Sequence, residues 1–303
     1  MTKSKKVILV TGGNSGLGLE CARNIAAKSN NYHILLACRN GQKANAAIKY
    51  VIDQTDNANI STMELDVSSL SSVRSFVKKY KQHGLGPLEG IICNAGINGT
   101  YSGLTSDGFD MVFETNHLGH FLLTNLLLPH LQPNGRVAIV SSDMHCPPGG
   151  ELTWSGVEAL AYPSEEFSTN FSRYSFSKLC NLYFTYELAA KLKRLNSHIT
   201  ANAFNPGLLT DTNFSPDKSR FTEEFLAKVA DRIGTLNQSA MALANMMTEA
   251  QYEQITGKYV DRGMETLSSS LSYDKRNAKE LWEKSVEYTR LSAFETLPGI
   301  LTI

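Results

Sequence analysis

The sequence is poor in cysteine and tryptophan, and it has no net charge. Its five cysteines are scattered over 303 residues with no Cys-x-x-Cys pair or matching histidine spacing, which argues against a disulfide scaffold and a zinc site. Basic and acidic residues number 29 each, so no overall field would attract nucleic acid or an anionic membrane. We therefore expect free thiols, a cytoplasmic location, no metal and no nucleic-acid partner.

Long apolar runs are missing as well. The basic start of the chain is followed by only a short apolar run, Val7 to Val10, which is too brief for the core of a signal peptide. The most apolar stretch, Leu118 to Leu131, is interrupted by histidine, asparagine and proline and falls short of the roughly 18 residues of a spanning helix. The sequence predicts no transmembrane segment, and a buried helix at this stretch.

Short apolar, β-branched runs alternate with longer segments of helical periodicity. This alternation is typical of βαβ units around a parallel sheet. It predicts strands at Lys6–Thr11, His33–Cys38, Ser61–Asp66, Gly90–Asn94, Arg136–Ser141, Thr200–Asn205 and Lys258–Val260. It predicts helices at Leu17–Ala27, Gly41–Gln54, Leu70–Gln82, Phe109–Leu131, Tyr174–Leu195, Glu223–Met247 and Lys275–Thr289. The expected fold is α/β: one doubly wound Rossmann-type domain with a seven-stranded, mostly parallel sheet and helices on both faces.

No linker, repeat or change of composition divides the chain, so a single domain over residues 1–303 is expected. Two connections are unusually long, near residues 143–172 and 208–235. Both would leave the carboxyl ends of strands, where open parallel sheets bind their ligands. We interpret them as segments that cover a substrate.

A glycine-rich turn joins the first predicted strand to the first predicted helix. In that context glycines permit a sharp turn and a close approach to a pyrophosphate, whose charge faces the helix N-terminus. The spacing here is Gly-x-x-x-Gly-x-Gly. The predicted dinucleotide contacts of this turn are Gly12, Asn14, Ser15, Gly16, Leu17 and Gly18.

The end of the second predicted strand indicates which dinucleotide binds. An NAD site would place an acidic residue there, against the ribose hydroxyls, but this strand ends in Cys38 and Arg39. Arg39 can pair with a 2′-phosphate through its planar guanidinium, and Lys43 adds a second positive charge. The sequence therefore favours NADP(H) as cofactor.

Tyr174 and Lys178 stand four residues apart in a predicted helix, so their side chains share one helix face. A nearby ammonium favours phenolate, so we expect Lys178 to lower the pKa of Tyr174 for general acid and base work. Such pairs are common by chance, but the position of this one is informative. Ser142 follows the fifth predicted strand, at the sheet edge that binds ligands, and Asn116 lies in the helix before that strand.

Together these residues resemble the short-chain dehydrogenase/reductase family, whose Asn, Ser, Tyr, Lys tetrad is matched by Asn116, Ser142, Tyr174 and Lys178. The resemblance covers essentially the whole chain. It implies that Tyr174 exchanges a proton with the substrate oxygen, Lys178 holds the nicotinamide ribose, Ser142 binds that oxygen and Asn116 holds a water. It also implies cofactor contacts at Asp66, Val67, Asn94, Ala95, Gly96, Tyr174, Lys178, Pro206, Gly207, Leu209 and Thr212.

Within that family the chain is similar to the retinol dehydrogenase and light-dependent protochlorophyllide reductase branch, for example over Asn116 to Phe121. Leu208 stands where the pigment reductases carry a cysteine, which disfavours a pigment substrate. The resemblance implies an NADP(H)-dependent oxidoreductase that acts on a small-molecule carbonyl or alcohol. The alternatives are a non-catalytic, NADP(H)-sensing regulatory protein and reduction of a pigment-like C=C bond, and the sequence leaves a homodimer open.

Overall fold

Apolar runs form the strands, and most are buried because helices cover both faces of the sheet. The computed structural model describes residues 5–99, 102–150, 152–163, 170–215 and 217–302, so parts of both predicted covering segments lie outside the described residues. The strands are β1 (Lys6–Thr11), β2 (Tyr32–Cys38), β3 (Ile60–Glu64), β4 (Leu88–Cys93), β5 (Leu131–Val140), β6 (Thr200–Asn205), β7 (Tyr259–Asp261) and β8 (Met264–Thr266).

The helices follow the strands as the alternating pattern requires. They are α1 (Gly16–Lys28), α2 (Gly41–Thr55), α3 (Leu70–His83), α4 (Met111–Phe113, a π-helical turn Glu114–Leu118, and Gly119–Leu127), α5 (Val157–Ala161), α6 (Asn170–Arg194), α7 (Glu223–Lys228), α8 (Leu236–Thr248) and α9 (Lys275–Thr289). Apolar residues of α1, α2 and α8 pack on one face of the sheet. Those of α3, α4, α6 and α9 pack on the other.

The sheet order is β3-β2-β1-β4-β5-β6-β7-β8, with all neighbours parallel except β7 and β8. The doubly wound α/β fold is confirmed. The expected count of seven strands was wrong by one within the described residues. β8 is an antiparallel edge strand after Arg262 and Gly263, both at positive φ, and all three of its residues are exposed, so it has no apolar signature.

Two predicted helices are interrupted. The helix predicted over Glu223–Met247 is split into α7 and α8, because the chain between them returns to pair Leu208 with Ile233. The helix predicted over Phe109–Leu131 contains the π-helical turn and ends at Leu127, before a short 3-10 turn. Both interruptions place backbone beside the carboxyl ends of the strands.

Candidate active site

A cavity of about 1470 Å³ opens above the carboxyl ends of the strands, where the chain reverses its winding between β1 and β4. Ordinary ligand pockets span roughly 300–1,000 Å³, so this one has room for a large ligand or for two together. The predicted residues that line it are Gly12, Asn14, Ser15, Gly16, Leu17, Arg39, Lys43, Asp66, Val67, Asn94, Ala95, Gly96, Ser142, Tyr174, Lys178, Pro206, Gly207, Leu209 and Thr212.

The glycine turn is fastened to the end of β4. Gly12 has φ +64°, and a Cβ there would lie 3.0 Å from the Ala95 Cα, so any side chain would disturb the floor of the cavity. The Thr11 hydroxyl accepts hydrogen bonds from the backbone N–H groups of Asn94, at 2.8 Å, and Ala95, at 2.9 Å. The turn and the Asn94–Ala95 backbone therefore form one rigid unit.

Gly18 does not line the cavity, although it was predicted as a cofactor contact. It packs behind the turn, where a Cβ would lie 2.5 Å from the Asn94 side-chain nitrogen. Its role is to let α1 approach β4. The glycine pattern could not separate this packing position from positions that face a ligand.

Arg39 and Lys43 form a positive rim at one end of the cavity. The Arg39 side chain is 65% exposed, and Asp66 lies 4.0 Å away, too far for a strong hydrogen bond. The Asp66 carboxylate also accepts from the backbone and hydroxyl of Ser68. Because this surface pair is weak, the Arg39 guanidinium can turn to an anion in the cavity.

Tyr174 and Lys178 lie at the opposite end of the cavity. They are one turn apart on α6, which begins at Asn170, so Tyr174 lies in its second turn instead of opening the helix as predicted. The Lys178 ammonium lies 5.4 Å from the centre of the Tyr174 ring. It also donates a hydrogen bond to the Val140 carbonyl, 3.1 Å away, which ties α6 to the end of β5.

Ser142 follows β5 and is oriented by its neighbours. Its hydroxyl accepts from the Met144 N–H and donates to the Asp143 carboxylate, both at 3.1 Å. Asp143 in turn lies 3.6 Å from Arg232, a residue of the second long connection. Burial raises the pKa of Asp143, and Arg232 opposes that change.

The titration behaviour of the Tyr174–Lys178 pair differs from the expectation. Burial raises the pKa of Tyr174, and the charge of Asp143 acts in the same direction, while the hydrogen bond with Ser142 and the charge of Arg220 act to lower it. Burial also lowers the pKa of Lys178 to about 8. Desolvation is the largest influence on the pKa of each group, so the predicted lowering of the Tyr174 pKa by Lys178 was wrong.

Asn116 lies behind the cavity wall, not in it. It is buried in the π-helical turn, and its side-chain oxygen accepts from the Ile97 N–H at 2.8 Å. Its side-chain nitrogen donates to the Ile97 carbonyl and to the Ser177 hydroxyl, each at 2.9 Å. The Asn116 amide thus joins α4, α6 and the segment after β4, with Gly96 in between.

A buried ion pair joins the two helices that carry this set. Asp110 caps α4 by accepting from the N–H groups of Val112 and Phe113. Its other oxygen lies 3.1 Å from Arg173, the residue before Tyr174, and the two side chains are only 5% and 9% exposed. This pair holds Tyr174 at a fixed distance from α4.

Comparison with known proteins agrees with this geometry. The family described as short chain dehydrogenase matches residues 6–150. A polyprenol dehydrogenase from Danio rerio is 36% identical over 291 residues, which cover 92% of this chain and 85% of that protein. A WW domain-containing oxidoreductase from Gallus gallus is 33% identical over 296 residues, which cover 95% of this chain and 69% of that protein. This chain belongs to the short-chain dehydrogenase family.

A solved structure shares the fold. An uncharacterised protein from Mycobacterium paratuberculosis is 30% identical, with a TM-score of 0.71 and 95% of each chain covered. Members of the short-chain dehydrogenase family use nicotinamide cofactors. Among the described residues, no helix of this family member combines the length and apolarity that crossing a bilayer requires.

Sequence reasoning placed two covering segments near this short-chain dehydrogenase cavity but did not identify the residues of its outer wall. Phe171, Phe214 and Phe225 line it and are 50%, 41% and 37% exposed. The Phe214 ring lies 5.8 Å from that of Tyr174, and Arg220 lines the same part of the cavity. Nothing local marks these residues, because they reach the cavity only through the path of the two long connections.

Proposed function

We propose that this protein is an NADP(H)-dependent oxidoreductase that transfers hydride between nicotinamide and a carbonyl or alcohol substrate. One observation carries the proposal: Ser142, Tyr174 and Lys178 share a single cavity with the glycine turn and Arg39. Acid–base groups stand at one end and cations at the other. An elongated dinucleotide with an additional phosphate suits that arrangement.

The residues present fit such a cofactor. The backbone approach at Gly12 leaves space that a side chain would fill, and Arg39 and Lys43 are the charges that a 2′-phosphate needs. β2 ends in Cys38 with no carboxylate beside Arg39 on the chain, which favours NADP(H) over NAD(H). The bound nicotinamide would supply the hydride.

The side chains of this protein would then control the proton and the position of the substrate. Ser142 would hold the substrate oxygen through its hydroxyl, and Tyr174 would donate the phenolic proton to that oxygen during reduction or accept it during oxidation. Lys178, held by Val140, would stabilise the phenolate as the proton leaves. Burial of these groups strengthens each of these electrostatic interactions.

We further propose a bulky, apolar substrate. The three exposed phenylalanines on the outer wall offer apolar contact beside Tyr174, and exposed aromatic groups of this kind often mark binding surfaces. The similarity to polyprenol dehydrogenases from Danio rerio and Homo sapiens, at 36% and 33% identity, supports a long-chain alcohol or its aldehyde. The two long connections, 143–172 and 208–235, would cover it.

A cytoplasmic location is supported by the cysteines, all within the described residues, of which none forms a disulfide. A homodimer stays a prediction. The retinol-type branch resemblance likewise stays a prediction.

The test is NADPH consumption against a panel of aldehydes, ketones and quinones that ranges from short chains to isoprenoid chains, with NADH in parallel. The reverse reaction uses the matching alcohols with NADP⁺. We expect turnover with NADPH that rises with the apolar length of the substrate. Tight NADPH binding with no turnover of any member would contradict the proposal and favour the sensor. Turnover of only those substrates that carry a conjugated C=C bond would mean that this bond, and not a carbonyl, is the group reduced.

A further inference from the structure

His120 is a buried residue of α4 that the proton transfer described above does not use. Its side chain is enclosed, with the whole residue only 2% exposed. One ring nitrogen, Nε2, lies 2.9 Å from the Thr11 hydroxyl, and the other, Nδ1, lies 3.3 Å from the Asn116 carbonyl. The ring therefore spans the space between the floor under the glycine turn and the π-helical turn.

The Thr11 hydroxyl determines which nitrogen carries the proton. A hydroxyl has two lone pairs and one proton, and both lone pairs here accept the N–H groups of Asn94 and Ala95. Only its proton is left, and Nε2 of His120 at 2.9 Å is a nearer acceptor than the Ile92 carbonyl at 3.3 Å. Nε2 of His120 must then be unprotonated.

The other end of the ring leads to the same conclusion. The Asn116 carbonyl can only accept, so the contact at 3.3 Å requires a proton on Nδ1. His120 is therefore neutral, with its proton on Nδ1. Burial lowers the pKa of His120 to about 4, the charge of Lys178 acts in the same direction, and the bond to the Asn116 carbonyl opposes both. His117, also buried and neutral, is the other titratable group beside it.

The Asn116 carbonyl matters because the side chain of Asn116 is fully engaged by Ile97 and Ser177. The family resemblance implies that Asn116 holds a water, and with the side chain engaged its main-chain oxygen is the atom of Asn116 that would do so. His120 fixes that oxygen in place. His120 also contacts the Thr11 hydroxyl, which positions Asn94 and Ala95 in the cavity floor.

We propose that His120 is a positioning residue that couples the nucleotide floor to the proton path behind Tyr174 and Lys178. It does so as a neutral link, donating from Nδ1 to the Asn116 carbonyl and accepting at Nε2 from Thr11. The role in the proton path rests on the proposed function. The link itself does not, because it can be observed without turnover.

Three variants separate the two ends of the link. His120→Asn keeps a donor near the Nδ1 position but cannot reach Thr11, and His120→Gln places an acceptor near Nε2 but loses the donor to Asn116. His120→Leu loses both. Since one buried hydrogen bond is worth about 1–1.5 kcal/mol, each loss is expected to change the affected quantity about tenfold.

The first measurement is the ¹⁵N spectrum of the imidazoles in the wild-type protein, with the His120 signal assigned by its loss in His120→Asn. We expect a neutral ring with the proton on Nδ1 from pH 5.5 to 8.5. A proton on Nε2, or a ring that becomes charged near pH 6.5, would overturn the proposal whether or not the protein turns over a substrate.

The second measurement compares the Kd of NADPH with the pH profile of kcat in variants whose Tm is close to wild type. We expect weaker NADPH binding in His120→Asn and His120→Leu, and a lower kcat with a displaced pH profile in His120→Gln and His120→Leu. Equal effects of all three variants on both quantities, or none, would refute the coupling. A wild type without turnover would instead count against the proposed function.

Discussion

Glu114, two residues before Asn116, makes the pH dependence of folding testable. Its side chain is completely buried at the start of the π-helical turn and accepts a hydrogen bond from the Thr105 hydroxyl. Burial raises its pKa to about 8, and the nearby carboxylates of Asp107 and Asp66 add to the effect. The Glu114→Gln substitution keeps the shape and an acceptor for Thr105 but cannot ionise.

The sign follows from proton binding. The carboxyl has an ordinary pKa of 4.5 when unfolded, so between pH 4.5 and about 8 the folded protein holds a proton that the unfolded chain has released. The contribution of this bound proton to the stability of the fold is fully present below pH 4.5 and is lost as the pH rises towards 8. At about 1.36 kcal/mol per pH unit, the interval from 4.5 to about 8 sets a ceiling of about 5 kcal/mol. Because water can reach a buried carboxylate by local rearrangement, the real change should be smaller than this ceiling. We expect Glu114 to lower the free energy of unfolding by about 2–3 kcal/mol between pH 5 and 8.

The assay is urea unfolding at pH 5, 6, 7 and 8. Glu114→Gln should gain stability relative to the wild type steadily with pH, because the other titrating groups are common to both proteins. Glu283→Gln, at an exposed position on α9, is the control and should track the wild type. Wild-type and Glu114→Gln stabilities that stay parallel across this range would refute the burial argument.

Further substitutions test two charged residues of the site, Arg39 and Asp110. Arg39→Ala should raise the KM for NADPH by about 10- to 100-fold, the loss of one charge-assisted bond, and leave the KM for NADH unchanged, whereas the exposed Lys49→Ala should change neither; an equal rise for both cofactors would contradict this assignment. Asp110→Ala should lower the free energy of unfolding by about 3–5 kcal/mol, since it removes both the carboxylate that faces the buried Arg173 guanidinium and the cap of α4. Adding Arg173→Met should restore the part of that loss that comes from the buried charge but not the lost cap, and a double variant no more stable than Asp110→Ala would count against the buried pair.

Apolar runs made most of the sheet predictable. β1 and β6 have the predicted bounds, because each is a run of buried residues bounded by polar ones, with Lys6 the one exposed position. The π-helical turn was not predictable, since it depends on Gly119 approaching the Val67 backbone so closely that a Cβ would collide with it. The break between α7 and α8 depends in the same way on a distant pairing, that of Leu208 with Ile233.

The site was predictable as far as topology places residues at one sheet edge. Ser142, Tyr174 and Lys178 meet in one cavity because β5 and α6 deliver them there. The direction of a side chain was not predictable in this way: Asn116 points to Ile97 and not into the cavity. The pKa of Tyr174 depends on burial that only the assembled fold creates.

Replacing the Tyr174 phenol by Phe tests the central claim most directly. NADPH turnover by Tyr174→Phe is compared with the Kd of NADPH, with Tyr186→Phe on the same helix as the control, since its hydroxyl bonds Ser268 outside the cavity. We predict that kcat of Tyr174→Phe falls by at least about 100-fold while the Kd stays within about twofold, and that Tyr186→Phe resembles the wild type. A Tyr174→Phe enzyme that keeps most of its turnover would contradict the assignment of the acid–base group.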